Sequence, residues 1–428
     1  MQENPLAPVQ ISIPTEIYQY ILQHVDPSSL STICTVSQMF RSECERVLYS
    51  DIDLSRSSYT QVRAWSKRVG GCTRVSSAVR SLILPETLSW NYSTSSQEIY
   101  EFRKSLSVAL RATINLTALT IRASPTSCLS HTYLDLWMLE GCKFRLRKLH
   151  NEGDSLYFPG RTLDFFVQQT EVSDWMPGRL QVGQTQHDTS SPAYILPTLF
   201  PNLSTIHFRD LELCASLPAR ALKHVSIDTT RRGLTKTEAE ELFAALGRAA
   251  GKTVVELRFV TEGSGCMPGT SSWWGPMDII RLVGEKLPRV RTVRYCGIIS
   301  RLHRPELDPT ELLSTLAQFK HLETFILYPL AELRSPHTSP DTSPERGQSS
   351  EISEENCLQI AKKIMRACPT LRYVALPSMG RWNWECFSYR RDGDSEVIFE
   401  GRLGMGESEE VWGRVLSERG GFVGVRAL

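Results

Sequence analysis

Cysteine and histidine are the residues of this chain best suited to chemistry, eleven of the first and nine of the second. A thiol beside an imidazole can attack a carbonyl carbon, and Cys and His at fixed spacing can hold zinc. That spacing is missing. There is no Cys-x-x-Cys or other zinc pattern, no His-Glu-x-x-His, no Gly-x-x-x-x-Gly-Lys-Ser/Thr and no Gly-x-Ser-x-Gly. Gly404-Met405-Gly406 lacks the third glycine of a dinucleotide loop and reads as a turn. The run Gly263 to Gly269 could cradle an anion on its amides, but Pro268 removes a donor and no Lys follows closely, so it reads as a loop. Cys34 and Cys44 fall on helical faces and Cys296 borders a strand, settings in which a thiol acts as a small apolar group. His24 reads as a surface or packing residue. No catalytic residue, cofactor or metal is therefore expected. Two other features suit recognition. Trp273-Trp274 is either a partner hot spot or a loop tucked under the next helix. Ser335, Ser339 and Ser343 each precede a proline, as proline-directed kinases require, although Ser-Pro pairs also simply accompany disorder.

Composition narrows the partners. Forty-eight basic against forty-seven acidic residues leave a net charge of +1, so no long-range field holds nucleic acid or an anionic membrane, and only local patches remain. The odd number of scattered cysteines fits reduced thiols inside the cell. The first twenty residues carry Glu3 and Glu16 but no Lys or Arg, and no run of eighteen apolar residues occurs, so neither a signal peptide nor a membrane span is expected. A cytoplasmic or nuclear location follows, in which the sequons at Asn91, Asn115 and Asn202 are accidental. The length suits two to three domain-sized units unless a repeat array absorbs it.

The elements are most legible in residues 13–54. Pro14 opens a helix without losing a needed donor, and Glu16 suits its positive end. Ile17, Ile21, Leu22 and Val25 then recur at helical spacing as one stripe. Asp26-Pro27-Ser28-Ser29 stops that helix and caps a second, which bears Leu30, Ile33 and Val36. Ser37 caps a third with Phe40, Cys44, Val47 and Leu48. So small a bundle needs a partner or the rest of the chain to cover its apolar faces.

Ile13-Pro14, Glu16-Ile17, Ile21-Leu22, Asp26-Pro27 with Leu30, Val36, Phe40-Arg41 and Leu48-Tyr49 together resemble the F-box, a helical module that hooks a protein onto a Skp-family adaptor. Ile13 replaces the usual Leu, and Phe40 stands where many members have Trp. The resemblance covers about a tenth of the chain. It implies that the adaptor-facing positions are among Ile13, Pro14, Ile17, Ile21, Leu22, Leu30, Val36 and Phe40, with some of these packing inside. An ordinary three-helix cap on a larger domain is the alternative.

Beyond residue 54 an apolar-x-x-apolar-x-apolar run recurs, starting at Val79, Leu116, Leu203, Leu222, Val254, Val290, Leu322 and Leu371, with a weaker one at Leu146. It resembles the strand segment of leucine-rich repeats. Chance supplies such runs, but five follow helix signals: a Ser95/Glu98 capping box, a Thr235/Glu238 capping box, Pro276, Asp308-Pro309 and Ser353. Helix-then-strand units in this order specify a parallel αβ layer, at about 32 to 50 residues per later unit an irregular one. Residues 169–193 read as a long loop or a degenerate repeat, and residues 334–353 as a disordered insertion. Alternation on both sides of Asp392-Gly393 predicts a β-hairpin, followed by a short helix over residues 407–416.

The expected fold class is thus α/β, with a three-helix F-box over 1–54, an irregular leucine-rich-repeat-like solenoid over 55–377 and a hairpin cap over 378–428. A single open α/β fold is the alternative. The resemblances imply a substrate receptor of a Skp–cullin–F-box ubiquitin ligase, similar to fungal F-box proteins, that binds a client protein on the strand face or on loops such as 169–193 and Trp273-Trp274. Two other functions stay open: an F-box scaffold whose partner is not degraded, and an α/β enzyme with a helical cap.

Overall fold

The structure is a computed structural model. It describes residues 14–85, 96–122, 136–151, 156–157, 163–177, 180–181, 199–208, 214, 217–229, 235–261, 276–298, 309–330, 354–377, 385–392 and 396–404. Two compact units divide the chain: Met1–Thr189 with Thr198–Asn202, and Ser190–Pro197 with Leu203–Leu428.

The first unit opens with α1 (Thr15–Leu22), α2 (Pro27–Ile33) and α3 (Gln38–Leu48). Their breaks fall where the side-chain chemistry puts them. The Asp26 carboxylate accepts the Ser29 amide at 3.0 Å, and the Ser37 hydroxyl accepts that of Phe40 at 3.2 Å, each closing an orphan donor of the following helix. Next come β1 (Asp51–Asp53), α4 (Tyr59–Gly71), α5 (Thr73–Ala78), β2 (Ser81–Pro85), α6 (Ser96–Ala112), β3 (Ala118–Arg122) and a 3₁₀ turn (Leu136–Leu139). The unit ends with β4 (Lys148–Asn151), β5 (Leu156–Tyr157), α7 (Leu163–Val167), β6 (Asp174–Met176) and β7 (Leu180–Gln181). Strands β1, β2, β3, β4 and β6 are neighbours in that order and all parallel. Strands β5 and β7 pair separately.

In the second unit β8 (Thr205–Phe208) and β9 (His224–Asp228) precede four helix–strand pairs: α8 (Lys236–Ala250) with β10 (Glu256–Thr261), α9 (Pro276–Lys286) with β11 (Thr292–Ile298), α10 (Pro309–Leu316) with β12 (Thr324–Leu330), and α11 (Glu354–Ala367) with β13 (Tyr373–Pro377). Strands β8 to β13 are parallel in sequence order, and β14 (Glu385–Asp392) and β15 (Glu396–Gly404) add as an antiparallel hairpin.

Every apolar run picked out by pattern forms a strand, and the burial explains why. The first apolar residue lies two positions before its strand and is buried: Val79, Leu116 and Leu146 in the first unit, and Leu203, Leu222, Val254, Val290, Leu322 and Leu371 in the second. The second apolar position, as in Leu82, Leu257 and Phe325, is buried inside the strand. Period-two alternation then aims these side chains at the helices. Phe243 of α8 lies 6.1 Å from Phe259 of β10, which stacks on Tyr295 of β11 at 5.8 Å. Residues between them, such as Glu256, Arg258 and Arg294, therefore point to the opposite face. The expected Thr235/Glu238 capping box is formed on α8.

Some expectations need correction. Residues 169–193 are not simply a loop: Val172 and Trp175 keep the first two buried positions of the pattern, and Asp174–Met176 pairs with β4. The degenerate-repeat alternative describes that part. Helices α4 and α5 lie in a stretch for which no element was predicted, although the Ser58/Gln61 capping box of α4 is a local signal for one. Antiparallel strands flank Asp392 as expected. Ile13, Trp273, Trp274, Ser335, Ser339, Ser343, the caps Ser95, Asp308 and Ser353, residues 334–353 and the helix expected at 407–416 lie outside the described residues.

Close helix packing predicts opposite outcomes at two glycines. A Cβ on Gly251 would sit 2.5 Å from the Gly247 carbonyl oxygen and 2.8 Å from that of Lys286, whereas one on Gly71 would meet nothing within 4 Å. Gly251→Ala should destabilise by about 1–3 kcal/mol through overpacking. Gly71→Ala should be neutral or stabilising by about 0.4–1 kcal/mol, since it restricts the unfolded chain. Urea unfolding midpoints of the two variants test this, and similar midpoints would contradict it.

Candidate functional site

Among the described residues, the N-terminal helices and the turns between them hold the largest concentration of exposed apolar side chains. At about 100° per residue, Tyr18 and Leu22 fall on one side of α1, and Ile17, Tyr20 and Ile21 on the other, with Val25 in the turn that follows. The inner side meets a small core. Leu22, Leu30 and Cys44 are buried there, with Val25, Ile33, Cys34, Val47 and Leu48 packed against them. Tyr18 also meets Phe40 edge-on at 5.3 Å, tying α1 to the start of α3. The outer side is left over: Ile17 is 49%, Tyr20 66%, Ile21 52%, Val36 68% and Met39 46% exposed. Among the described residues nine large apolar side chains are exposed, and five of them crowd into the three short helices and the turn between α2 and α3.

The expected set is thereby divided. Pro14, Ile17, Ile21 and Val36 are exposed and Phe40 is half-buried. Leu22 and Leu30 are each 2% exposed and belong to the internal core, so neither offers a surface to a partner. The single stripe expected of Ile17, Ile21, Leu22 and Val25 is two faces, because Ile21 and Leu22 are adjacent and a 100° step carries them apart. Tyr20 and Met39 were missed, although Tyr20 stands three residues after Ile17, on the same face.

The module is fastened to the strands behind it. Glu45 is buried on α3, and Arg74 of α5 reaches its two carboxylate oxygens at 3.1 and 2.8 Å while Arg41 approaches at 3.3 Å. The Ser50 carbonyl accepts the amides of Arg80 and Ser81 at the start of β2.

Groups suited to catalysis are arranged otherwise. Burial pushes the Cys44 thiol up to about 11 and that of Cys142 up to about 12, and raises Cys214 as well, so these three hold their protons. Cys72 is the reverse: the amides of Val75 and Arg74, with the charges of Arg68 and Arg74, draw its thiol below the usual range. A depression of about 280 Å³ beside α4 and α6 is lined by Ser66, Lys67, Gly70, Glu101, Lys104, Ser105 and Val108, without thiol or imidazole. On the strand face of the second unit, the parallel register sets Glu256 between β9 and β11. His224 Nδ1 lies 3.1 Å and the Arg294 guanidinium 3.0 Å from its carboxylate oxygens. Burial alone would raise the Glu256 pKa, but the His224 hydrogen bond and the nearby cations outweigh it and hold the group below its ordinary value of 4.5.

Two outcomes follow. Leu22→Asp should unfold the three helices by placing an unpaired carboxylate in their core, whereas Ile21→Asp should change stability by no more than about 0.5 kcal/mol; loss of helical circular dichroism distinguishes them, and equal behaviour would contradict the division of faces. For Glu256 the folded pKa is depressed, so its contribution is complete above the ordinary value and is lost as the pH falls through the folded one. The stability gap between the native chain and Glu256→Gln should therefore be constant near neutrality and shrink below about pH 4.5; a gap independent of pH counts against the network.

Comparison with known proteins adds little. No protein-family model matches this chain, and no curated protein does. Among solved structures it is similar to the crystal structure of the leucine-rich repeat-containing protein LegL7 from Legionella pneumophila, at 16% identity over 59% of this chain and 83% of that one, with a TM-score of 0.33. The repeat architecture therefore rests on the register and burial pattern of this chain's own strands. No helix among the described residues is long and apolar enough to cross a membrane.

Proposed function

We propose that the three N-terminal helices act as an F-box that docks on a Skp-family adaptor and, through it, a cullin, while the αβ array binds a client protein. The chain would then be the non-catalytic substrate receptor of a Skp–cullin–F-box ubiquitin ligase. One observation carries the proposal: a module whose core is already filled by Leu22, Leu30 and Cys44 still presents Ile17, Tyr20, Ile21, Val36 and Met39 to solvent. A three-helix unit gains nothing by exposing these groups unless a partner covers them. Fully burying an exposed aliphatic side chain contributes about 1.5–3 kcal/mol, and Ile17, Ile21 and Val36, already partly covered, would each contribute about half of that at the centre of an interface. Of the pairs that carry the resemblance, Asp26-Pro27 opens α2 and Leu48-Tyr49 closes α3, while Phe40-Arg41 lies in the first turn of α3.

The receptor's role is proximity. It raises the effective concentration of a client lysine near a ubiquitin-loaded enzyme and makes or breaks no bond itself. The Glu45–Arg74 clasp and the Ser50 carbonyl suit that role, because they tether the docking helices to β2 through more than one flexible linkage.

Affinity purification of the full chain beside Ile17→Asp/Ile21→Asp tests the proposal. The adaptor and cullin should be recovered with the first and lost from the second, with helical circular dichroism unchanged. Equal recovery from both, or from neither, defeats it. If the adaptor is captured but no partner protein turns over faster, the chain is a scaffold.

A further inference from the structure

The edge at which the second unit's parallel strands begin carries a row of cations, most of which no acid among the described residues balances. The backbone defines that edge. Lys223, Val255, Arg291, Glu323 and Arg372 each stand one residue before a strand, and each donates its amide to the carbonyl of the equivalent residue in the repeat before, beginning with Ser204. Lys252, Arg289 and Lys320 lie in the same turns. Arg291 approaches Glu323 at 3.8 Å and is partly neutralised. Lys223, Lys252, Arg289, Lys320 and Arg372 are exposed and make no ion pair among the described residues. At the opposite edge, where the helices start, acids predominate, with Glu238, Asp278 and Glu311 in first turns beside Lys236.

A bland explanation is that these cations answer the negative ends of α8 to α11, which finish at the same edge. Those ends are already served. The Ala250, Leu287, Leu316 and Cys368 carbonyls accept the amides of Val254, Val290, Phe319 and Leu371, and Arg391 donates to the carbonyls of Met365 and Pro369. The five cations serve none of these carbonyls.

We propose that this edge docks an extended acidic polypeptide segment, which, on the receptor reading above, belongs to the client. The strands β9 to β13 are separated by four gaps of about 4.8 Å, a span of about 19 Å, which is the reach of about six extended residues. Nucleic acid fits less well. The row is interrupted by Glu323 and Glu285, it holds no exposed Phe, Tyr or Trp among the described residues, and the chain's pI of about 7.6 is far from the strongly basic range of phosphate-binding domains.

A fluorescent peptide of about twelve Glu and Asp residues serves as the probe, titrated against the full chain at low and moderate salt. Lys223→Glu/Arg289→Glu should weaken binding by about tenfold or more. Lys236→Glu/Arg281→Glu, which changes net charge equally on α8 and α9 away from that row, should leave it within about twofold. Equal loss in the two variants, no binding by the native chain, or tighter binding of a charge-matched single-stranded oligonucleotide would overturn the inference. Adaptor recovery separates the two proposals: an edge variant that loses the peptide yet keeps the adaptor supports both, and a chain that binds the peptide but never the adaptor fails only as a ligase receptor.

Discussion

A single backbone hydrogen-bond pattern holds the array in order. The carbonyl just before each strand accepts two amides of the following repeat, from the equivalent residue and the next one. Ser50, Arg80, Thr117 and Arg147 form one such series, and Ser204, Lys223, Val255, Arg291 and Glu323 another, at 2.7 to 3.1 Å throughout. A slip of one residue would break both bonds and turn every inward side chain toward solvent. Register is therefore defended twice, by the backbone and by the buried aliphatic column beside it. The intervening helices and loops vary in length without disturbing the strands, which is how units of unequal size share one layer.

The N-terminal helices work under a different constraint. Three short helices cannot bury enough surface to be stable comfortably alone, and their core holds only three fully buried apolar residues. Stability has to be borrowed. Part comes from the ion pairs that Glu45 makes with Arg74 and Arg41; paired burial of this kind is tolerable only because the carboxylate finds two guanidinium groups. The outer face of α1, with Ile17, Tyr20 and Ile21, receives no such help among the described residues and stays exposed.

Charge is the second organising quantity. A net charge of +1 hides a separation of sign in the second unit, with bases where the strands begin and acids where the helices begin. The pattern starts from the helix dipole, which favours each sign at its own end, and it exceeds that need where cations neither cap a helix nor pair with an acid. Whole-chain composition averages this away, so the sequence argument excluded a long-range field and left local patches open.

Features set by local chemistry could be read from the sequence. Asp26-Pro27 and Ser37 cap helices with their own side chains, and the Thr235/Glu238 box does the same for α8, so their positions depend on a few neighbouring residues. The apolar-x-x-apolar-x-apolar strands were legible for a similar reason, since period-two burial is written into each segment. What needed tertiary structure was the choice among chemically equal side chains. Ile21 and Leu22 are both aliphatic, and only the position of α3 decides that Leu22 is core and Ile21 is surface. Asp174–Met176 becomes a strand because the Arg147 carbonyl and β4 are waiting for it. His224, Glu256 and Arg294 form one network because parallel register aligns residues 32 and more positions apart in the chain. Capping and alternation act over a few residues and leave a trace in sequence; facing and pairing are relations between distant segments, and only the packed fold defines them.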